Sequence, residues 1–386
     1  MMKPRLLITN FLPIGRGGLR TYVRTIITSK LCEMFDIAVA SPEESGILAM
    51  CKNLRIKCYP LSFPGNVKEV FGIGKSIIGL NDIYKDFPFQ VIHCNGSRDH
   101  WIAAYWKILF RKPSTIIRTR HAVKIVRNDA FHVLLNLHLT RRQIYVCESM
   151  KYLCEEGKAL KLTNSIVIPN GVDLEYYRPM MKDDSLARKL GVGQDDFVFG
   201  SVAGLASHKR VDLMLHAVAE MKHERKVKVL LLGYEVHGRR VLSLAGKLGI
   251  GDKVIYAGML DDVRPYISIF DVGFVLSSVE TISYAAREMM AMGTPLISSR
   301  YCGLVENVDD GINGLLVEPG DLSEVKGAMV RFLEMSDDAL ASFRAAAREK
   351  AVRNFSVVQQ ISKLGGVYME AMGGIATTER RLRECP

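Results

Sequence analysis

The chain has no run that approaches the ~18 to 20 consecutive apolar residues of a membrane-spanning helix, so any contact with a bilayer is expected to be peripheral. None of its eight cysteines pair as Cys-x-x-Cys, no histidine–cysteine cluster has metal-ligand spacing, and Asp-x-Asp occurs nowhere. These absences argue against a zinc site, a redox dithiol and a metal-bridged diphosphate, and the cysteines read as reduced cytosolic thiols. Helix-turn-helix, zinc-module and RNP-like signatures are missing too, which disfavours nucleic acid as a partner. The opening MMKPRLLITNFLPIGRGG is broken by Thr9, Asn10 and Pro13 and lacks a small-x-small cleavage site. It reads as a first β-strand and not as a signal peptide.

Acidic residues are scarce in one half only. Residues 1–170 hold 25 Lys and Arg against 12 Asp and Glu, a net +13, whereas the remainder holds 27 against 29. The N-terminal half is therefore expected to meet something anionic, such as a membrane surface or a phosphorylated lipid. At 386 residues, 48 % of them hydrophobic, the chain is long enough for two cores.

Short apolar runs alternate with helical patterns throughout: RLLITNF, FDIAVAS, FQVIHC, STIIRTRH and QIYVCES, then FVFGSVAG, VKVLLLGY, KVIYAGM, VGFVLSS, TPLISS and GLLVEP. Such alternation predicts an α/β protein with two Rossmann-like, doubly wound parallel sheets. The break falls at IVIPNGVDLEYYRP, where Pro169-Asn170-Gly171 is a turn signal. The expected domains are 1–170 and 171–355, with a C-terminal helix in 356–386 returning to the first domain and a loose tail after Gly373. In such sheets ligands bind beyond the carboxyl ends of the strands.

Glu280 and Glu288 flank an expected helix N-terminus near Ile282 to Ser283, closed by Gly293-Thr-Pro295. The N–H groups around Ile282, Ser283 and Tyr284 then form an anion site, most naturally for a phosphate. Eight helical residues separate Cα atoms by roughly 12 Å, more than the ~5 to 9.5 Å of a glycosidase pair, so one carboxylate is expected at each end of a ligand. Lys209, in the loop LASHKRVD after a strand, suits a diphosphate, and Arg210 follows it. The turn Gly15-Arg-Gly17-Gly18 brings backbone close to an anion but is not a dinucleotide fingerprint, because Arg20 occupies the third glycine position. His121, after Arg118 and Arg120, and His93 with Asn95 end neighbouring strands; Arg118 and Arg120 are expected to hold the His121 ring neutral. The helix DHWIAAYWKILFRK reads as core packing rather than a membrane belt. The basic stretch Lys124 to Arg142, with Arg127, His132, His138 and Arg141, is the better candidate for touching lipid or an anionic acceptor.

Taken in order, GRGGLRTYV, VIHCNGSRD, IIRTRHAV, IVIPNGVDLEYYRP, LASHKRVD, the Glu-x7-Glu segment and GLVENVDDGINGLLVEPGD resemble the retaining GT-B glycosyltransferases of family 4, the glycogen synthase-like group. The resemblance implies two Rossmann-like domains facing across a cleft and transfer of a sugar from a nucleotide-diphosphate sugar, with no other cofactor and no metal. UDP is the favoured donor base, with GDP and ADP as alternatives, and the implied acceptor is a lipid-linked glycan or lipopolysaccharide. It further implies that Glu288 holds the ribose, Lys209 the diphosphate and the N–H groups of Ile282 to Tyr284 the distal phosphate. Glu280 would contact the transferred sugar, Gly17 and Gly18 would close on the phosphates, and His121 would stand beside sugar and acceptor. Arg118, Arg120, Lys124, Arg127, Arg141 and Arg142 fall to the acceptor or membrane side. The enzyme would work in the cytoplasm, peripherally on the inner face of the cytoplasmic membrane. Two departures stand out: Gly204 where the family commonly has an arginine, leaving Arg210 or Arg20 as replacement cations, and Ser283 in place of a glycine. Alternative readings are a catalytically weak sugar-nucleotide-binding scaffold subunit and a GT-B-fold sugar-nucleotide epimerase.

Overall fold

The computed structural model describes residues 3–12, 17–65 and 70–373. Gly15 and the tail after Gly373 lie outside them. The chain divides into two compact units, one formed by residues up to Asn170 together with those from Val358 onward, the other by Gly171–Val357.

The first unit holds a seven-stranded sheet of β1 (Arg5–Thr9), β2 (Asp36–Ser41), β3 (Lys57–Pro60), β4 (Val91–Cys94), β5 (Thr115–Arg120), β6 (Thr140–Tyr145) and β7 (Ser165–Val167), in the order β3-β2-β1-β4-β5-β6-β7. All neighbouring strands are parallel. The second unit holds β8 (Phe197–Ser201), β9 (Val227–Leu232), β10 (Val254–Gly258), β11 (Val272–Val275), β12 (Leu296–Ser299) and β13 (Gly314–Val317), in the order β10-β9-β8-β11-β12-β13, again parallel. Both orders reverse direction once, between β1 and β4 and between β8 and β11. That reversal opens a crevice at the carboxyl ends of the central strands.

Helices cover both faces of each sheet, which is why the strands read as continuous apolar runs. Alternate residues of one strand feed opposite cores. Phe197, Phe199, Val229 and Leu231 join one cluster, while Val198, Leu230 and Leu232 join the other. The same alternation splits Leu6 and Ile8 from Leu7 in β1.

The helix Val357–Ala371 buries Leu364, Val367 and Tyr368 in the core of the first unit, against Leu6, Ile8 and Phe35. Arg142 donates to both carboxylate oxygens of Glu370 at 3.2 and 2.8 Å. Each apolar run quoted above lies on a strand. Strand β3, KCYP, was not foreseen: it is an edge strand, half exposed and ending in proline, so neither alternation nor hydrophobicity marks it.

Candidate functional site

In the second unit the two strands that flank the reversal point carry the two loops of interest. After β8 the chain passes Gly204 and makes a short 3₁₀ turn, Ser207–Lys209, before the helix Val211–Glu220. After β11 it runs extended to the helix Tyr284–Ala291. The loops are tied together, because the Ser278 N–H donates to the His208 carbonyl at 2.9 Å and Lys209 Nζ donates to the Glu280 carboxylate. This ion pair is largely withdrawn from water, each side chain being 17 % exposed. A cation and a carboxylate thus stand together at the mouth of the crevice.

Ser283 caps the helix, its hydroxyl accepting from the Ala286 N–H at 3.3 Å. Its φ of −117° is ordinary for any residue, so the serine in place of glycine costs no backbone strain here. The first N–H groups of the helix and the positive end of its dipole lie around Ile282 to Tyr284. The Gly303 N–H donates to the Thr281 carbonyl at 2.9 Å, tying the loop after β12 to this segment. Gly204 has φ +86°, a left-handed conformation that glycine adopts without strain. Arg210 also has a positive φ, +50°, and its guanidinium is held by Asp212 at 3.0 to 3.1 Å, so this replacement cation is already paired in the structure.

Glu288 lies one helical turn further in. The residue as a whole is half-buried, its carboxyl end is the part withdrawn from water, and it accepts a hydrogen bond from the Tyr177 hydroxyl; burial pushes its pKa up to about 7. Tyr177 packs edge-on against Tyr176 at 5.0 Å, and Tyr176 is covered by Arg264 at 3.6 Å, itself paired with Asp262. In the sequence, LEYYRP marks only the domain junction. Nothing in the spacing announces that Tyr177 returns to Glu288 across more than a hundred residues.

In the first unit, Gly17 begins the helix Gly18–Ile27 with φ +100°, a conformation reserved to glycine, and its carbonyl accepts from Arg20 and Thr21. At the ends of β4 and β5, the His121 Nε2–H donates to Asn95 Oδ1 at 3.0 Å. The Asn95 amide is oriented by its own donation to the Thr9 carbonyl at 2.9 Å, which makes Oδ1 the acceptor and leaves the lone pair of His121 on Nδ1. Asp99, fully buried, accepts from the Asn95 N–H at 2.8 Å and from the Thr9 hydroxyl at 2.6 Å, fixing the whole turn. Burial, assisted by Arg118, pushes the His121 pKa down to about 3, and Tyr22 packs edge-on against its ring at 4.7 Å. His121 is neutral at physiological pH.

His93 has a structural environment: Nδ1 meets the Tyr368 hydroxyl and Nε2 the Thr119 hydroxyl, both at 2.7 Å and buried. Arg118 and Arg120 correct the expected acceptor-side placement. Both are buried, Arg118 meeting His100 at 3.1 Å and Arg120 meeting Gln143 and Asn136, so neither guanidinium faces a surface. Arg142 is engaged by Glu370. Lys124, Arg127 and Arg141 are exposed. Trp106 is buried as foreseen for the tryptophan helix, whereas Trp101 is only half-buried. Among the described residues no group of three or more His, Cys, Asp or Glu is placed to hold a metal ion, and no helix is long and apolar enough to cross a membrane.

Two parallel sheets with this strand order define the GT-B class of α/β protein, and solved structures agree. The crystal structure of a glycosyltransferase from Rickettsia africae matches with a TM-score of 0.84, at 19 % identity, over 96 % of this chain and 99 % of that one. The Anabaena HepE structure in complex with UDP matches with a TM-score of 0.80, at 18 % identity, over 96 % and 100 %. Residues 182–350, all within the second unit, match the family of glycosyl transferases group 1. Among its relatives, the N-acetyl-alpha-D-glucosaminyl L-malate synthase of Bacillus anthracis is 24 % identical over 290 residues, 73 % of this chain and 75 % of that protein. The UDP-Gal:alpha-D-GlcNAc-diphosphoundecaprenol alpha-1,3-galactosyltransferase of Escherichia coli is 24 % identical over 312 residues, 77 % and 79 % respectively.

Proposed function

We propose that this glycosyltransferase moves a sugar, with retention of configuration and without a metal, from a nucleotide-diphosphate sugar to a lipid-linked glycan or lipopolysaccharide acceptor in surface-polysaccharide synthesis. The observation that carries the donor half is the crevice of the second unit, where Lys209 and Glu280 join two strand-end loops beside a capped helix start and Glu288. Lys209 meets the diphosphate, and the N–H groups of Ile282 to Tyr284 meet the distal phosphate. Glu288 accepts from the ribose hydroxyls, and Glu280 takes hydroxyls of the transferred sugar when Lys209 turns to phosphate.

In the transfer step the bond from the anomeric carbon to the phosphate oxygen breaks, and a bond to the acceptor oxygen forms on the same face. The acceptor proton passes to the departing diphosphate. Cations and N–H dipoles aimed at that charge are each worth ~10²–10³ in rate. His121, neutral and fixed through Asn95, serves as a hydrogen-bonding group beside sugar and acceptor, with Gly17 and Gly18 on the phosphates. Uridine is the favoured base, supported by the UDP in the HepE complex and the UDP-galactose named for the Escherichia coli relative. The diphosphoundecaprenol in that same name supports a lipid-borne acceptor; on this reading the enzyme meets it from the cytoplasm at the inner membrane face.

The test is thermal stabilisation by UDP, GDP and ADP and their sugar conjugates, where ligand at a hundred times its Kd adds ~2.7 kcal/mol. UDP should shift the wild type, and Lys209→Ala should lose tenfold or more in affinity; equal shifts in both would remove the site assignment. The Arg210–Asp212 pair favours a second reading, a weakly active nucleotide-sugar-binding subunit. Acceptor-dependent release of nucleotide separates the two.

A further inference from the structure

Residues 101–142 carry nine lysines and arginines and one acidic residue, Asp129. With Arg118 and Arg120 buried, seven cations remain outside the core, of which Arg127 meets Asp129 and both Arg141 and Arg142 meet Glu370, leaving the stretch in net positive excess. The same stretch turns apolar side chains outward. On the helix Ser97–Phe110, Trp101, Tyr105, Ile108 and Leu109 follow the i, i+4, i+7, i+8 spacing of one helical face. Tyr105 is 37 % exposed, Ile108 49 % and Leu109 66 %. Trp101 stacks on Phe131 at 4.3 Å, which joins this face to the short helical segment Ala130–His138, where Phe131 and Leu134 are exposed as well. The opposite side of the helix, with Ile102 and Trp106, is locked in the core.

Aromatic rings that are half wet, aliphatic side chains beyond them and an excess of cations over two carboxylates, Asp129 and Glu370, make up an interfacial composition. Protein interfaces are depleted in lysine, and a second copy would set one net-positive face against another. An anionic bilayer complements both the charge and the apolar edge. We infer that this face of the first unit docks on an anionic lipid bilayer, with Ile108, Leu109 and Leu134 entering the headgroup–acyl boundary and Trp101, Tyr105 and Phe131 at headgroup level. This deepens the proposed function, since a lipid-borne acceptor is met at a membrane, but binding is measured without any turnover.

The experiment is flotation of the full chain with equimolar phosphatidylethanolamine–phosphatidylglycerol vesicles, against phosphatidylcholine alone, together with quenching of tryptophan emission by bromine-labelled acyl chains. The wild type binds the anionic vesicles, binding weakens with salt, and quenching reports Trp101 because Trp106 is buried. Ile108→Ser/Leu109→Ser/Leu134→Ser lowers vesicle affinity by at least about tenfold with an unchanged melting temperature. Arg127→Glu/Arg141→Glu lowers it while keeping the apolar edge. Absence of wild-type binding, or binding unchanged in both variants, overturns the inference; so does self-association of the wild type that the triple variant abolishes, which would make the face a protein interface. Lys209→Ala should float as the wild type does, so loss of nucleotide binding and loss of membrane binding are read separately.

Discussion

Replacing Glu288 with glutamine should stabilise the protein while impairing it. The carboxyl titrates near 7 in the folded unit against 4.5 for an unperturbed glutamate, because burial penalises its charge more than the Tyr177 hydrogen bond relieves it. At 1.36 kcal/mol per pH unit the gap corresponds to roughly 3.4 kcal/mol as an upper bound, and partial exposure of the side chain discounts it to about 1 to 3 kcal/mol. The folded state holds the proton more tightly than the unfolded state. Stability therefore falls as pH rises from about 4.5 to about 7 and stays reduced above that window. Glu288→Gln has no charge to bury and still accepts from Tyr177. Its melting temperature should match the wild type below about pH 4.5 and exceed it at pH 8, by ~2–4 °C for each kcal/mol in a unit of this size. Differential scanning fluorimetry across that range measures the gap, and nucleotide titration of the same samples should show weakened binding. A difference that is flat with pH, or a variant less stable at pH 8, would refute the reasoning.

Tyr368→Phe should cost about 1–3 kcal/mol in urea unfolding, since it strips the partner from a buried nitrogen of His93 without opening a large cavity. Gly204→Ala meets no neighbour within 4 Å yet must adopt φ +86°, so a loss of roughly 1 kcal/mol in the same assay is expected from strain alone. His121, held neutral down to about pH 3, should contribute no inflection near 6.5 to the pH–rate profile of sugar transfer, whereas His121→Ala should lower the rate at every pH.

The amino-acid pattern determined a good deal by itself. Eleven apolar runs alternating with helical stretches dictate two doubly wound parallel sheets, because only a sheet covered on both faces buries such strands. The turn at Asn170-Gly171 marks the point where the two units part, and the spacing from Ser283 to Gly293 dictates the capped helix after Glu280. These are local matters of periodicity, capping and turn chemistry. Tertiary structure alone decided the rest. It paired Lys209 with Glu280 and Tyr177 with Glu288, returned Tyr368 to His93, and turned Arg118 and Arg120 inward although their composition suggests a surface. It also exposed Ile108 and Leu109 on a helix that reads as core. Partners far apart in sequence meet only where strand order brings their loops together, and the burial that shifts Glu288 and His121 depends on that packing rather than on neighbouring residues.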